Sequence, residues 1–160
     1  MKVNDVMTRR VATCRPETNL AEAAALMWQN DCGVLPVLTE TGELAGLVTD
    51  RDMCIALGTK DVQPSHLSVG AILRDHTLVC KSSDSIQTAL HTMSEGKVRR
   101  LPVVGDNAQL VGILSMDDVV LNAERGTAKV GSVISSAAVV KTLQAIYARD
   151  NQPIAEAVAA

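Results

Sequence analysis

The sequence predicts an α+β, sandwich-like protein made of two copies of one small module, with a helix added at the C-terminus. Three observations carry that prediction. The chain overlays on itself without a gap when shifted by 66 residues, so Val3 meets Val69, Cys14 meets Cys80, Ala23 meets Ala89 and Met27 meets Met93. Leu35-Pro36-Val37 meets Leu101-Pro102-Val103 in the same way, as do Leu44 and Leu110, Gly46 and Gly112, and Asp52 and Asp118. Within each copy the apolar spacing changes from helical to strand-like and back. After residue 125 the overlay ends and one amphipathic stretch remains. A unit of this length exceeds ordinary solenoid repeats. The expectation is a pair of modules, 1–62 and 63–125, that bury a face against each other, with a helical tail over 126–160.

Each module opens on a short lead-in, VNDVMT or LSVGAIL, helical or irregular. A first apolar strand follows, VATC or TLVC. The next helix starts at Asn19 or Ser85, both good N-caps, and Glu22 stands where a capping box needs it. Leu20, Ala23, Ala24 and Met27 then fall on one helix face, and Ile86, Ala89, Leu90 and Met93 repeat them. GVLPVLTETGELAGLVT holds two strands around a turn at Gly42, and its second copy turns at Gly105-Asp106-Asn107. A second helix begins at the acidic corner that closes each copy. Residues 58–66 read as the linker, punctuated by Gly58 and Pro64. In the tail, Val139, Val140, Leu143, Ile146 and Tyr147 mark an amphipathic helix stopped by Asn151 and Pro153, with frayed residues beyond.

Composition removes several classes of function. The chain has one Trp, one Tyr and no Phe, so its core must be aliphatic and it has no stacking platform for single-stranded nucleic acid. A formal charge of −3 with both signs dispersed argues against nucleic acid or an anionic membrane as partner. No stretch approaches a membrane span or a signal-peptide core, which points to the cytoplasm. The four cysteines, 14, 32, 54 and 80, form no CxxC pair, and the three histidines show no metal-ligand spacing. Phosphate loops of the GxxxxGK[ST] type, GxGxxG and GxSxG are all missing, so no enzyme is expected and no obligatory cofactor.

The chemistry concentrates at GLVTDRD (46–52) and GILSMDD (112–118). Thr49 with Asp52, and Ser115 with Asp118, have the spacing of a capping box with Asp in place of Glu. That alone explains them as helix caps, and Gly46 and Gly112 as points of close backbone approach. The same residue types also suit a ribose-phosphate: a hydroxyl and free amides for phosphate, a carboxylate for a ribose diol. Arg99-Arg100, which precedes the second LPV strand only, offers guanidinium donors for phosphate.

With both corners and both LPV strands in view, the chain resembles a tandem pair of cystathionine-β-synthase-type (CBS) domains, a Bateman module, over about residues 3–123. The resemblance implies two modules packed through their sheets about a pseudo-two-fold axis, with clefts for adenosine-containing ligands. Carried over, Asp52 and Asp118 would hold ribose hydroxyls, and Thr49 and Ser115 would approach phosphate or ribose. Arg99 and Arg100 would face phosphate, while Thr13, Val79, Ala45 and Val111 would line adenine pockets. It further implies a homodimer and a separate protein target, with an adenine nucleotide as regulatory ligand. Two other expectations stand beside this one: an assembly module whose corners are caps only, and a thiol- or metal-responsive module using the repeat-equivalent Cys14 and Cys80.

Overall fold

A computed structural model describes residues 1–74, 76–123 and 134–148. The first copy comprises α1 (Val3–Val6), α2 (Leu20–Gln29), β1 (Val34–Leu38), β2 (Leu44–Thr49) and α3 (Asp50–Lys60). The second comprises a 3-10 turn (Val69–Ile72), β3 (Cys80–Lys81), α4 (Ile86–Glu95), β4 (Arg100–Val104), β5 (Leu110–Ser115) and α5 (Met116–Asn122), and α6 (Ser136–Tyr147) follows. β1–β2 and β4–β5 are antiparallel hairpins in identical register, Val34 opposite Thr49 and Arg100 opposite Ser115. A bridge joins Glu43 to Gln109. These two residues are repeat equivalents, so an antiparallel bridge between them puts a pseudo-two-fold axis between the hairpins.

The expected first strands shrink to almost nothing. Cys14 makes a single parallel bridge to Val37, and β3 has two residues. The cause is the proline in each LPV. Cys14 N–H donates to Pro36 O at 3.0 Å and Leu38 N–H donates to Cys14 O at 2.9 Å. The next bond towards the N-terminus needs an N–H at position 36, which proline lacks. Pro102 stops β3 in the same way, where Cys80 pairs with Val103.

The lead-ins are exchanged between copies. Val3 N–H donates to Asp84 O, and Val3 and Met7 are buried in the core of the second copy. Leu20 N–H donates to Leu67 O, Val69 N–H donates to Thr18 O, and Val69 is buried in the core of the first. The bridges Lys2–Ser85 and Asn19–Ser68 are repeat images of each other. Each core therefore closes with a segment from the other copy, which ties the two together.

Several local expectations change. Asn19 caps α2 by accepting the Glu22 N–H at 2.9 Å, but no return bond from the Glu22 carboxylate completes the box. Ala24 is exposed, whereas its equivalent Leu90 is buried. Gly58 lies inside α3, which continues to Lys60 and ends at Asp61 with φ 49°. In the second hairpin the left-handed residue is Ala108, φ 57°, the equivalent of Gly42 at φ 81°. α6 lies against α4 and α5 and buries Val139, Thr142 and Ile146, while Val140 and Tyr147 lie on its exposed side. Asn151, Pro153 and residues 154–160 lie outside the described residues.

Candidate functional site

Each corner is first a helix cap. Thr49 Oγ1 accepts the Asp52 N–H at 3.1 Å and donates to Asp52 Oδ2 at 2.6 Å, and Asp52 Oδ2 also accepts the Thr49 N–H at 3.3 Å. Ser115 and Asp118 repeat the arrangement, with Ser115 N–H and Oγ–H both donating to Asp118 Oδ2, at 2.8 and 2.6 Å. One carboxylate oxygen is thus used for the cap. The other, Oδ1, faces the lead-in of the opposite copy.

The partners at Oδ1 differ. Thr8 Oγ1 donates to Asp118 Oδ1 at 3.1 Å, and Arg74 Nη2 donates to Asp52 Oδ1 at 2.6 Å. Thr8 and Arg74 are repeat equivalents, delivered to the opposite corners by the lead-in exchange. Gly112 permits this on one side. A Cβ there would lie 2.6 Å from the Thr8 carbonyl, and Thr8 and Ile113 exchange backbone bonds of 2.9 Å each way. At Gly46 the close neighbour is instead the Leu73 side chain, 3.1 Å from where a Cβ would sit. Burial raises the Asp52 pKa, but hydrogen bonds from Thr49 and Arg74 and the Arg74 charge outweigh it, so the carboxyl sits below its ordinary range.

Two cavities open on these oxygens. One, of about 340 Å³, is lined by Ser115 and Asp118 from one copy and by Thr8, Arg10, Cys32 and Val34 from the other. The second, of about 380 Å³, is lined by Thr49 and Asp52 together with Arg74, His76, Val98 and Arg100. These two sets are repeat images at every position, so the cavities are related by the same pseudo-two-fold axis as the modules. Both have aliphatic walls, Ile113 with Ala12 in the first and Leu47 with Leu78 in the second.

Thr49, Asp52, Ser115, Asp118 and Arg100 are therefore brought to cavities, and Arg100 lines both. Arg99 is not. Its guanidinium donates to the Tyr147 hydroxyl of α6 at 3.4 Å. Ala45 and Val79 line a broader hollow of about 770 Å³ on the other side of His76-Thr77-Leu78. Thr13 lines a shallow hollow beside α2, and Val111 is exposed near Gly105. Sequence reasoning passed over Thr8, Arg74, Arg51 and Asp117. The signal was available in the overlay, which pairs 8 with 74 and 51 with 117, but only the exchange places 8 and 74 opposite the corners.

Cys14 and Cys80 sit in separate cores. Burial pushes the Cys14 thiol up to about 11 and, with a contribution from Asp84, the Cys80 thiol up to about 12. Each therefore stays in the protonated thiol form at neutral pH, the less nucleophilic of its two states. Among the described residues no three His, Cys, Asp or Glu side chains gather to hold a metal ion, and no helix is long and apolar enough to cross a membrane.

Comparison with known proteins places this geometry. A family model described as CBS domain matches residues 3–59 and 69–124. The CBS domain-containing protein YhcV of Bacillus subtilis (strain 168) is 35% identical over 120 residues, spanning 75% of this chain and 84% of that protein. A crystal structure of Hypoxic Response Protein I with two coordinated zinc ions superposes with a TM-score of 0.69 at 30% identity, covering 76% of this chain and 98% of that one. The crystal structure of CBSX2 in complex with AMP superposes with a TM-score of 0.64 at 30% identity, covering 75% and 93%.

Proposed function

The chain belongs to the CBS-domain family, and on that premise we propose that it is a non-catalytic regulatory module that senses an adenosine-containing ligand of the AMP, ADP or ATP class. In this reading the modules are 1–62 and 63–125 with a tail over 126–160, and the ligand enters the cavities at Asp52 and Asp118. The observation that carries it is the division of labour within each carboxylate. Oδ2 holds the helix cap, so Oδ1 stays fixed at the cavity wall, where a ribose hydroxyl would join or displace the Arg74 or Thr8 donor it now accepts from. Arg100 offers donors to phosphate, and the aliphatic walls accept a purine face. That a relative at 30% identity binds AMP supports the same ligand class.

Signalling would run through a homodimer, with a separate protein in the cytoplasm as target. The outer faces of α3 and α5 expose Ile55, Val120 and Leu121, apolar side chains suited to a second copy. A ligand with unequal affinity for two dimer arrangements shifts their populations, which is all a sensor requires. The competing reading is an assembly module without a physiological nucleotide, whose corners are caps only.

A thermal-shift series with AMP, ADP and ATP on the wild type, Asp52→Ala and Asp118→Ala separates the two. A ligand at 100 times its Kd stabilises by about 2.7 kcal/mol, which for a chain of this size raises Tm by roughly 5–10 °C. The expected result is a rise with at least one nucleotide that is reduced in an Asp variant measured against that variant's own midpoint. A flat series across all three nucleotides leaves the assembly module.

A further inference from the structure

The two cavities are repeat images in shape but not in charge. At the Asp52 cavity three arginines, 51, 74 and 100, stand against a single aspartate. At the Asp118 cavity Arg10 and Arg100 stand against Asp31, Asp117 and Asp118. Arg100 lines both and so cannot tell them apart. Arg10 against His76 adds positive charge to the Asp118 cavity and Asp31 removes it. The differences that set the balance are Arg51 against Asp117 in the first turn of the corner helix, and Arg74 against Thr8 on the facing lead-in.

The geometry points to two cavities of different ligand charge: the Asp52 cavity takes a phosphorylated adenine nucleotide, and the Asp118 cavity takes an adenosine compound that carries no phosphate. This rests on the adenosine reading above and adds which cavity takes which class. Arg74 is 72% exposed while its partner Asp52 is 17% exposed, so solvent screens the pair and it separates at little cost. A ribose hydroxyl replaces the guanidinium at Asp52 Oδ1, and the released Arg74 turns to the phosphate beside Arg51 and Arg100. A nucleoside alone displaces Arg74 without giving it a new partner. In the other cavity Thr8 already satisfies Asp118 Oδ1 with a neutral hydroxyl. A phosphate there meets Asp31, Asp117 and Asp118 against Arg10 and Arg100, so negative charge prevails and opposes binding.

Calorimetric titration of the full chain with AMP and with adenosine tests this, because the two probes share purine and ribose and differ in phosphate. The wild type should bind one AMP tightly per chain, with affinity that falls as salt rises. The Arg51→Asp/Arg74→Thr variant, which gives the Asp52 cavity its counterpart's residues at these two positions, should lose AMP affinity about 10- to 100-fold and keep adenosine affinity. The reciprocal Asp117→Arg/Thr8→Arg variant should gain a second AMP site. Retained adenosine binding shows that each variant still folds. The inference is overturned if the wild type binds two AMP per chain with equal affinity, or if AMP and adenosine weaken together in the first variant. If neither probe binds the wild type, the adenosine reading itself fails and this inference goes with it, an outcome distinct from binding that ignores charge.

Discussion

Asp52 and Asp118 stand at the same corner of the same repeat, each held by a hydroxyl three residues earlier, yet one meets an arginine and the other a threonine. The hydrogen bonds that build the cap are equal in both copies to within a few tenths of an ångström for the side chains. What differs is supplied from the opposite copy. The repeat fixes where a carboxylate oxygen sits, and the exchanged lead-in decides which charge faces it. The cores differ in a related way. α4 is covered by α6 and buries Ile86, Ala89, Leu90 and Met93, whereas among the described residues α2 has no such added helix and leaves Ala24 and Trp28 in solvent.

The comparison of cores gives the largest expected effect. Leu90→Ala should cost about 2–5 kcal/mol in urea unfolding, as other buried leucine truncations do. Ala24→Leu, at the equivalent but exposed site, should change stability by no more than about 0.5 kcal/mol. Similar effects at both positions would show that α6 does not cover α4. The hairpin turns come next. Ala108 adopts the left-handed conformation that Gly42 adopts freely, at a cost of about 1–2 kcal/mol for a residue with a Cβ. Ala108→Gly should raise Tm and Gly42→Ala should lower it, and an effect of the same sign from both would break the equivalence of the turns.

The ion pair gives the smallest effect. The folded-state pKa of Asp52 lies below its ordinary value of 3.8. The stability it contributes is therefore present above that value and is lost as pH falls through the lowered one. Arg74→Ala should remove at most about 1 kcal/mol near neutral pH, because the arginine is mostly solvated. Wild type and variant should converge in acid unfolding below that range. A difference that persists in strong acid would mean that Arg74 stabilises by packing and not by charge.

Much of the fold was legible because the same pattern appears twice. Leu35, Val37, Leu101 and Val103 are all fully buried, as an apolar pattern around a proline implies once the overlay is made. The prolines also held the reason why the first strands fail, a missing N–H that reading for hydrophobicity alone passes over. The lead-in exchange was not legible. Val3 and Val69 are equivalent apolar residues, and either satisfies either core, so no local feature tells a module closed on itself from a pair closed on each other. The tail helix was legible in position but not in orientation, since its apolar stripe is wider than the surface available to bury it. At the corners, cap and binding site looked like rival explanations. In the folded chain the cap uses Oδ2 and leaves Oδ1 to a group from the opposite copy, a division that only the three-dimensional structure reveals.

The most direct test of the account is a nuclear magnetic resonance titration of the labelled chain with AMP, following backbone amides. The account predicts shifts gathered at Thr49–Asp52 and at the facing residues Arg74, His76–Leu78 and Val98–Arg100, joined from two copies by the exchanged lead-in. Saturable shifts confined to other surfaces, with both corners unmoved, would contradict it.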